Sequence, residues 1–217
     1  AYTRDASRIE GKPVQVHYPA TAEEIQKIVR ETTADVVPWG SGTNLVGGTV
    51  ATNAVVIEMR GLNKIIHFDR AKQSVLVQAG VILKELNEKL RPMSYEFPIC
   101  FNEQSTIGGM VASNCVGERS LRYGSMKDWT DEIEFVNGKG ELITIGRADL
   151  TEVCGMEGIT GIIVKVKLRL LKKKEKSFSL FQSDTMQEVV SMARRLKLDN
   201  EVVMLKIIDY SNPEALV

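Results

Sequence analysis

The chain has 217 residues, 43% of them hydrophobic and 26% charged, the composition of a folded protein with one or two sizeable cores, which excludes disorder and collagen. Lys plus Arg and Asp plus Glu both number 28, so the net charge is zero and there is no overall basic field to gather a nucleic acid. Three cysteines, Cys100, Cys115 and Cys154, are an odd number without a CxxC pair, which argues against a disulfide framework or a zinc site and leads us to expect a reducing, cytoplasmic setting.

No apolar run approaches the roughly 20 residues that a membrane span needs, and the polar opening AYTRDASRIEG is unlike a signal peptide. Ala in place of an initiating Met leads us to expect an excerpted chain. PVQVHYP at 13–19 predicts a strand, and TAEEIQKIVRETT predicts a helix opened by a Thr21/Glu24 capping box. DVVP at 35–38, the glycine-rich WGSGTNLVGGTV and AVVIEM at 54–59 complete a β-α-β start with a long loop. KIIHF at 64–68 and SVLVQAG at 74–80 read as strands, followed by a helix with Leu83, Leu86 and Leu90 on one face.

From Pro98 to Lys127 the chain is too rich in Gly, Ser and Asn to be core and too apolar to be a linker. A β-hairpin is predicted at about 132–145, its turn opened by Asn137-Gly138. GMEGITGIIVKVKLRLL at 155–171 passes from a glycine-flanked turn into a long strand in which Val164, Val166, Leu168 and Leu170 alternate with Lys165, Lys167 and Arg169, so one face of it is expected to be buried. KKKEK at 172–176 reads as a solvated connector and a domain boundary. Beyond it, FSLFQ and VVMLKII predict strands around a helix with Asp184 as its N-cap. The fold class is therefore α+β.

Two segments seek anions. In PWGSGTNLVGG, Pro38 to Gly48, glycines permit positive φ and close approach, so that backbone N–H groups converge in a phosphate nest. The segment lacks the spacing of a Walker A loop or a dinucleotide fingerprint, and the alternative is a plain turn. In STIGGMVASNCVG, 105–117, a helix start offers N–H groups to a second phosphate oxygen, the alternative being helix-on-strand packing through Gly108 and Gly109. Two such segments suit a pyrophosphate. Trp39 either covers the ligand or anchors the loop. His17 and His67 read as strand residues, Cys100 and Cys115 as small buried fillers or thiols near a ligand.

Three blocks, PWGSGTNLVGG, STIGGMVASN with RYGS following, and GMEGITGIIV, resemble the FAD-binding domain of the FAD-linked oxidases of the vanillyl-alcohol oxidase and p-cresol methylhydroxylase type. The branch they resemble holds the glycolate oxidase flavin subunit and the D-lactate and D-2-hydroxyglutarate dehydrogenases. The opening YTRDASRIEGKPVQVHYPATAEEIQKIV resembles it too, so the similarity covers roughly 2–175.

That resemblance implies a two-subdomain FAD-binding domain over 1–175, split at about 1–60 and 61–175, and the start of an α+β substrate or cap domain at 176–217. It implies a pyrophosphate cradle of Gly40, Ser41, Gly42, Thr43 and Asn44, closed by Gly47 and Gly48. Ser105, Thr106, Gly108 and Gly109 would meet the diphosphate and ribityl region, Asn114 and Gly117 the flavin, Gly158 and Ile163 the adenosine end. Pro98 would lie beside the isoalloxazine. Relatives show two glycines after the Asn of the second block where this chain has Cys115-Val116-Gly117, and Gly-Ser-Glu-Gly where it has Gly155-Met156-Glu157-Gly158. Members that attach flavin covalently through the first block carry a His where this chain has Thr43.

The implied activity is oxidation of a small-molecule 2-hydroxy acid, such as D-lactate or glycolate, by hydride transfer to FAD. No catalytic residue is named, because in the family the base and the carboxylate-binding cations belong to the second domain, and a fragment of this length is expected to be inactive. The same domain type also serves cell-wall nucleotide-sugar reductases and the electron-relaying flavin subunits of molybdenum hydroxylases, and a partner subunit is a further expectation.

Overall fold

Helix α1 (Ala22–Glu31) begins as the capping-box pattern predicts. Thr21 Oγ1 accepts from Glu24 N at 3.2 Å, and the returning Glu24 carboxylate takes Ala20 N at 2.7 Å, one residue earlier than in the standard box. The structure is a computed structural model that describes residues 2–99 and 102–208.

Strands β1 (Gln15–His17), β2 (Val36–Trp39) and β3 (Val55–Glu58) form a parallel sheet in the order β1-β3-β2. The central β3 is buried along its whole length, as the uninterrupted Val-Val-Ile run predicts for a strand covered on both faces. The second sheet is antiparallel. It holds β4 (Ile65–Asp69), β5 (Ser74–Gln78), β7 (Thr130–Val136), β8 (Leu142–Gly146) and β9 (Ile162–Arg169) in the order β4-β5-β9-β7-β8. β9 is its centre, with Val166 opposite both Val77 and Ile133, and its alternation is as read: Val164, Val166 and Leu168 are buried and the intervening Lys165, Lys167 and Arg169 only half-buried.

Helix α2 (Leu83–Leu90) buries the predicted Leu83, Leu86 and Leu90, each worth about 1.5–3 kcal/mol of transfer free energy. A two-residue β6 (Tyr95–Glu96) pairs with β10 (Leu171–Lys172), and short helices α3 (Ile107–Ala112) and α4 (Ser120–Tyr123) occupy the Gly- and Ser-rich middle. One apolar cluster runs through both sheets, joining Ile25 of α1 and Ile57 of β3 to Val77, Val164 and Val166. The hairpin turn at 137–141 reinforces that joint, since the Gly140 carbonyl accepts from Gln26 Nε2 at 2.9 Å and Arg30 Nη2 at 2.7 Å. The positive φ of this turn falls on Gly140, at 73°, rather than on the Asn137-Gly138 pair.

The region past 172 departs from expectation. Helix α5 (Met186–Leu196) forms, but its N-cap is Thr185, whose side chain accepts from Glu188 N at 3.4 Å, not Asp184. The stretches 178–182 and 202–208 contain no strand. A strand needs a hydrogen-bonded neighbour, and Phe178 and Leu180 stand 86% and 81% exposed with none beside them. Nor is the lysine run wholly solvated: Lys176 Nζ lies 2.8 Å from the Glu96 carboxylate, which also binds Arg119 at 2.9 Å.

Candidate functional site

The glycine-rich loop leaves β2 at Gly40 and returns to β3 through Ala54. Trp39 is buried against Ala51, Ala54 and Val56, with Tyr2 edge-on at 5.4 Å, so it anchors the loop rather than covering a ligand. Gly42 takes φ 67°, and a Cβ there would lie 2.8 Å from Trp39 Cζ2. Asn44 turns the chain, its Oδ1 accepting from Val46 N and Gly48 N, both at 2.9 Å. Among the described residues nothing accepts the N–H groups of Gly42, Thr43 and Asn44, and the buried Ser41 hydroxyl has no partner. Polar groups left unpaired beside a cavity point to a ligand that supplies the acceptors.

The second segment touches the first. A Cβ on Gly40 would fall 2.4 Å from Thr106 Oγ1, and Thr43 Oγ1 and Ser105 Oγ are 3.2 Å apart. The expected free donors at the start of α3 are not free, however. Ile107 N donates to the Val81 carbonyl at 2.9 Å, Gly108 N to the Ala79 carbonyl at 2.7 Å, and Gly109 N to Thr106 Oγ1 at 3.3 Å. Close packing accounts for Gly108, whose Cβ would come 2.7 Å from Ala79 Cβ. This segment therefore contributes walls and hydroxyls to the site, and the uncommitted N–H groups come from the loop.

Between the segments lies a cavity of about 350 Å³. Of the residues expected from sequence, Gly40, Ser41, Gly42, Thr43, Asn44, Gly48, Ser105, Thr106, Gly108, Gly109, Gly158 and Ile163 line it. Gly47, Pro98, Asn114 and Gly117 do not. Gly47, at φ 81°, closes a turn with Val50, and Pro98 is buried. Asn114 Oδ1 accepts from Lys127 N at 2.9 Å, and Gly117 N donates to Ser120 Oγ at 2.7 Å.

Sequence reasoning missed Thr49, Met59, Ser113, Gly161 and Glu157, which also line the cavity. Glu157 has φ 52° and its Oε2 lies 3.4 Å from Asn44 Nδ2, bridging the third block to the first; its place inside that block was the available signal. Among the described lining residues Glu157 is the only charged one, with no Lys, Arg or His. Cys115 lines the cavity, whereas Cys154 is buried and burial pushes its thiol up to about 11. Cys100 lies outside the described residues. Among the described residues no group of three or more potential ligands could hold a metal, and no helix is long and apolar enough to cross a membrane.

A family model described as an FAD binding domain matches residues 13–146, well over half of the chain. The chain belongs to this FAD-binding family. Within it, the chain is 34% identical over 185 residues to a D-2-hydroxyglutarate dehydrogenase of Xanthomonas citri pv. viticola, covering 78% of this chain and 39% of that protein. It is 30% identical over 195 residues to a D-lactate dehydrogenase of Anaerostipes hadrus, covering 82% and 41%. It is 32% identical over 190 residues to the glycolate oxidase subunit GlcD of Bacillus subtilis, covering 80% and 40%. The chain thus spans about two fifths of the length of these relatives. Among solved structures, an alkyldihydroxyacetonephosphate synthase superposes with a TM-score of 0.65 at 26% identity, over 71% of this chain and 31% of that one. The fold is the vanillyl-alcohol oxidase type of FAD-binding domain, the cofactor is FAD, and the chain is related to oxidoreductases of hydroxy acids. The glycine- and hydroxyl-lined cavity, the uncommitted loop N–H groups and the unpartnered Ser41 hydroxyl fit that dinucleotide.

Proposed function

We propose that this chain is the FAD-binding part of a dehydrogenase or oxidase that removes hydride from a 2-hydroxy acid such as D-lactate or glycolate. The observation that carries this reading is the glycine- and hydroxyl-lined cavity in a chain whose relatives are named for D-lactate, D-2-hydroxyglutarate and glycolate. When bound, FAD supplies the hydride acceptor, flavin N5. In our assignment the N–H groups of Gly42, Thr43 and Asn44 and the Ser41 hydroxyl hold the pyrophosphate, with Gly40, Gly47 and Gly48 shaping the loop. Ser105, Thr106, Gly108 and Gly109 wall the diphosphate and ribityl region, Gly158 and Ile163 face the adenosine end, and Pro98, Asn114 and Gly117 support the flavin end from behind. We place a domain boundary near 172–176 and a subdomain boundary near 60, with residues 176–217 belonging to a cap.

A hydroxy-acid carboxylate needs a cation and its hydroxyl needs a base. Neither Lys, Arg nor His lines the cavity among the described residues, and its one carboxylate, Glu157, is tied to Asn44 of the phosphate loop, so we assign both roles to residues outside this chain. With FAD, D-lactate and a dye acceptor, residues 1–217 are expected to reduce the dye no faster than free FAD, because misplacing the reacting atoms by about 1 Å costs on the order of a hundredfold. The natural protein carrying this sequence, loaded with FAD and kept anaerobic, is expected to lose its yellow absorbance with D-lactate, glycolate or D-2-hydroxyglutarate. Retained colour with all three overturns the substrate class, and dye reduction by residues 1–217 alone overturns the placing of the base.

Flavin attachment should be non-covalent, since Thr43 has no nucleophilic nitrogen and neither His17 nor His67 lines the cavity. Acid precipitation is expected to leave the yellow colour in the supernatant. Colour in the pellet would refute it.

A further inference from the structure

The glycine-rich loop is fastened from outside by the N-terminal segment. Residues 2–11 fold back on themselves, with an antiparallel bridge from Arg4 to Glu10 and Gly11 N donating to the Thr3 carbonyl at 2.8 Å. This strap lies across loop 40–49. Ala6 N donates to the Gly42 carbonyl at 3.0 Å, and Ile9 sits where a Cβ on Gly47 would come within 2.8 Å of its Cδ1. Next to Ala6 in the strap is Asp5, 7% exposed. Its Oδ1 accepts from Ser7 N at 2.9 Å and Ser7 Oγ at 2.5 Å, and its Oδ2 accepts from Thr49 Oγ1 at 2.8 Å. Thr49 lines the cavity and Asp5 does not.

We propose that Asp5 is a positioning residue for the FAD cradle, clamping strap 2–11 onto loop 40–49 through Thr49 and so fixing the Gly42 backbone without touching the dinucleotide. The inference rests on our assignment of the pyrophosphate to this loop. Its physical motive is a conflict: a carboxylate one residue behind an anion site repels the anion, so its presence calls for a geometric gain. A carboxylate supplies that gain by accepting three hydrogen bonds at once, where most side chains accept one or none. Burial disfavours the Asp5 charge, but the bonds from Ser7 and Thr49 outweigh it and hold its carboxyl below the ordinary value.

Geometry and charge separate in two variants. In Asp5→Asn the amide oxygen still accepts from Ser7 and the NH₂ donates to Thr49 Oγ1, so the clamp survives without the repulsion. FAD affinity, read by quenching of flavin fluorescence, is expected to stay at or above the wild-type value. Asp5→Ala loses every arm, and affinity is expected to fall about tenfold or more, with faster hydrogen exchange at residues 42–50 in the FAD-free protein. Thr49→Val cuts one arm at the edge of the cavity and carries the test if Asp5→Ala does not fold, with an expected loss of about threefold. Unchanged affinity in both Asp5→Ala and Thr49→Val, or a loss in Asp5→Asn as large as in Asp5→Ala, overturns the proposal. Wild-type FAD affinity in Gly42→Val overturns the pyrophosphate assignment itself, whereas its loss there with retention in both Asp5→Ala and Thr49→Val overturns only the role of Asp5.

Discussion

Gly42→Val is expected to give a folded protein that no longer retains flavin. The residue sits at φ 67°, a region that a β-branched side chain enters only at a cost of about 1–3 kcal/mol. The new Cβ would also meet Trp39 at 2.8 Å, and Trp39 is the buried anchor of the loop. The chain can relieve both by letting the loop swing outward, which leaves the core intact and disperses the N–H groups of Gly42, Thr43 and Asn44. Roughly 2 kcal/mol of lost cradle geometry corresponds to about a thirtyfold weaker affinity. A titration with FAD, beside a circular dichroism spectrum to verify folding, measures it. A yellow variant at wild-type affinity would mean that the loop is only a turn.

Gly80→Ala is expected to strike the fold itself. Gly80 follows β5 and donates to the Leu62 carbonyl at 2.8 Å, and an added Cβ would lie 2.0 Å from the Met59 carbonyl oxygen, 2.8 Å from Arg60 Cα and 2.8 Å from the Leu62 carbonyl oxygen. All three are backbone atoms, so no rotamer change relieves the overlap, and the turn at 59–61 that joins the two sheets must move. The expected loss is about 3 kcal/mol or more, a large share of the roughly 5–15 kcal/mol that hold a domain together. Gly138, in the hairpin turn, has nothing within 4 Å of an added Cβ, so Gly138→Ala should shift stability by less than about 0.5 kcal/mol. Urea midpoints of the two variants give the comparison. Equal midpoints would show that the two sheets adjust to each other more freely than their packing indicates.

What could be read from the sequence was what depends on neighbouring residues. The cap at Thr21, the leucine face of α2 and the alternation of β9 are local patterns, and each element formed where its pattern lay. The two strands expected beyond residue 176 failed for the complementary reason: FSLFQ and VVMLKII have strand composition, but a strand is completed by a partner the pattern does not name. Around the cavity, the glycine loop was visible because glycines at close spacing have few other uses. That the first N–H groups of α3 are spent on Ala79 and Val81 was invisible, since those acceptors sit in a connection 29 and 26 residues before their donors, Gly108 and Ile107. The same holds for Asp5, whose partner Thr49 is 44 residues away.

The place of β9 in the sheet governs the order in which a nascent chain can build the site. β5 and β7 emerge from the ribosome well before Ile162–Arg169, the strand that lies between them. Until then both present open edges, the condition in which long-range sheets are slow to close and prone to stray pairing. The cavity waits as well, because Gly158, Gly161 and Ile163 belong to its wall. During synthesis the flavin therefore meets a finished pocket only after residue 169 has cleared the exit tunnel, which makes cofactor capture a late event.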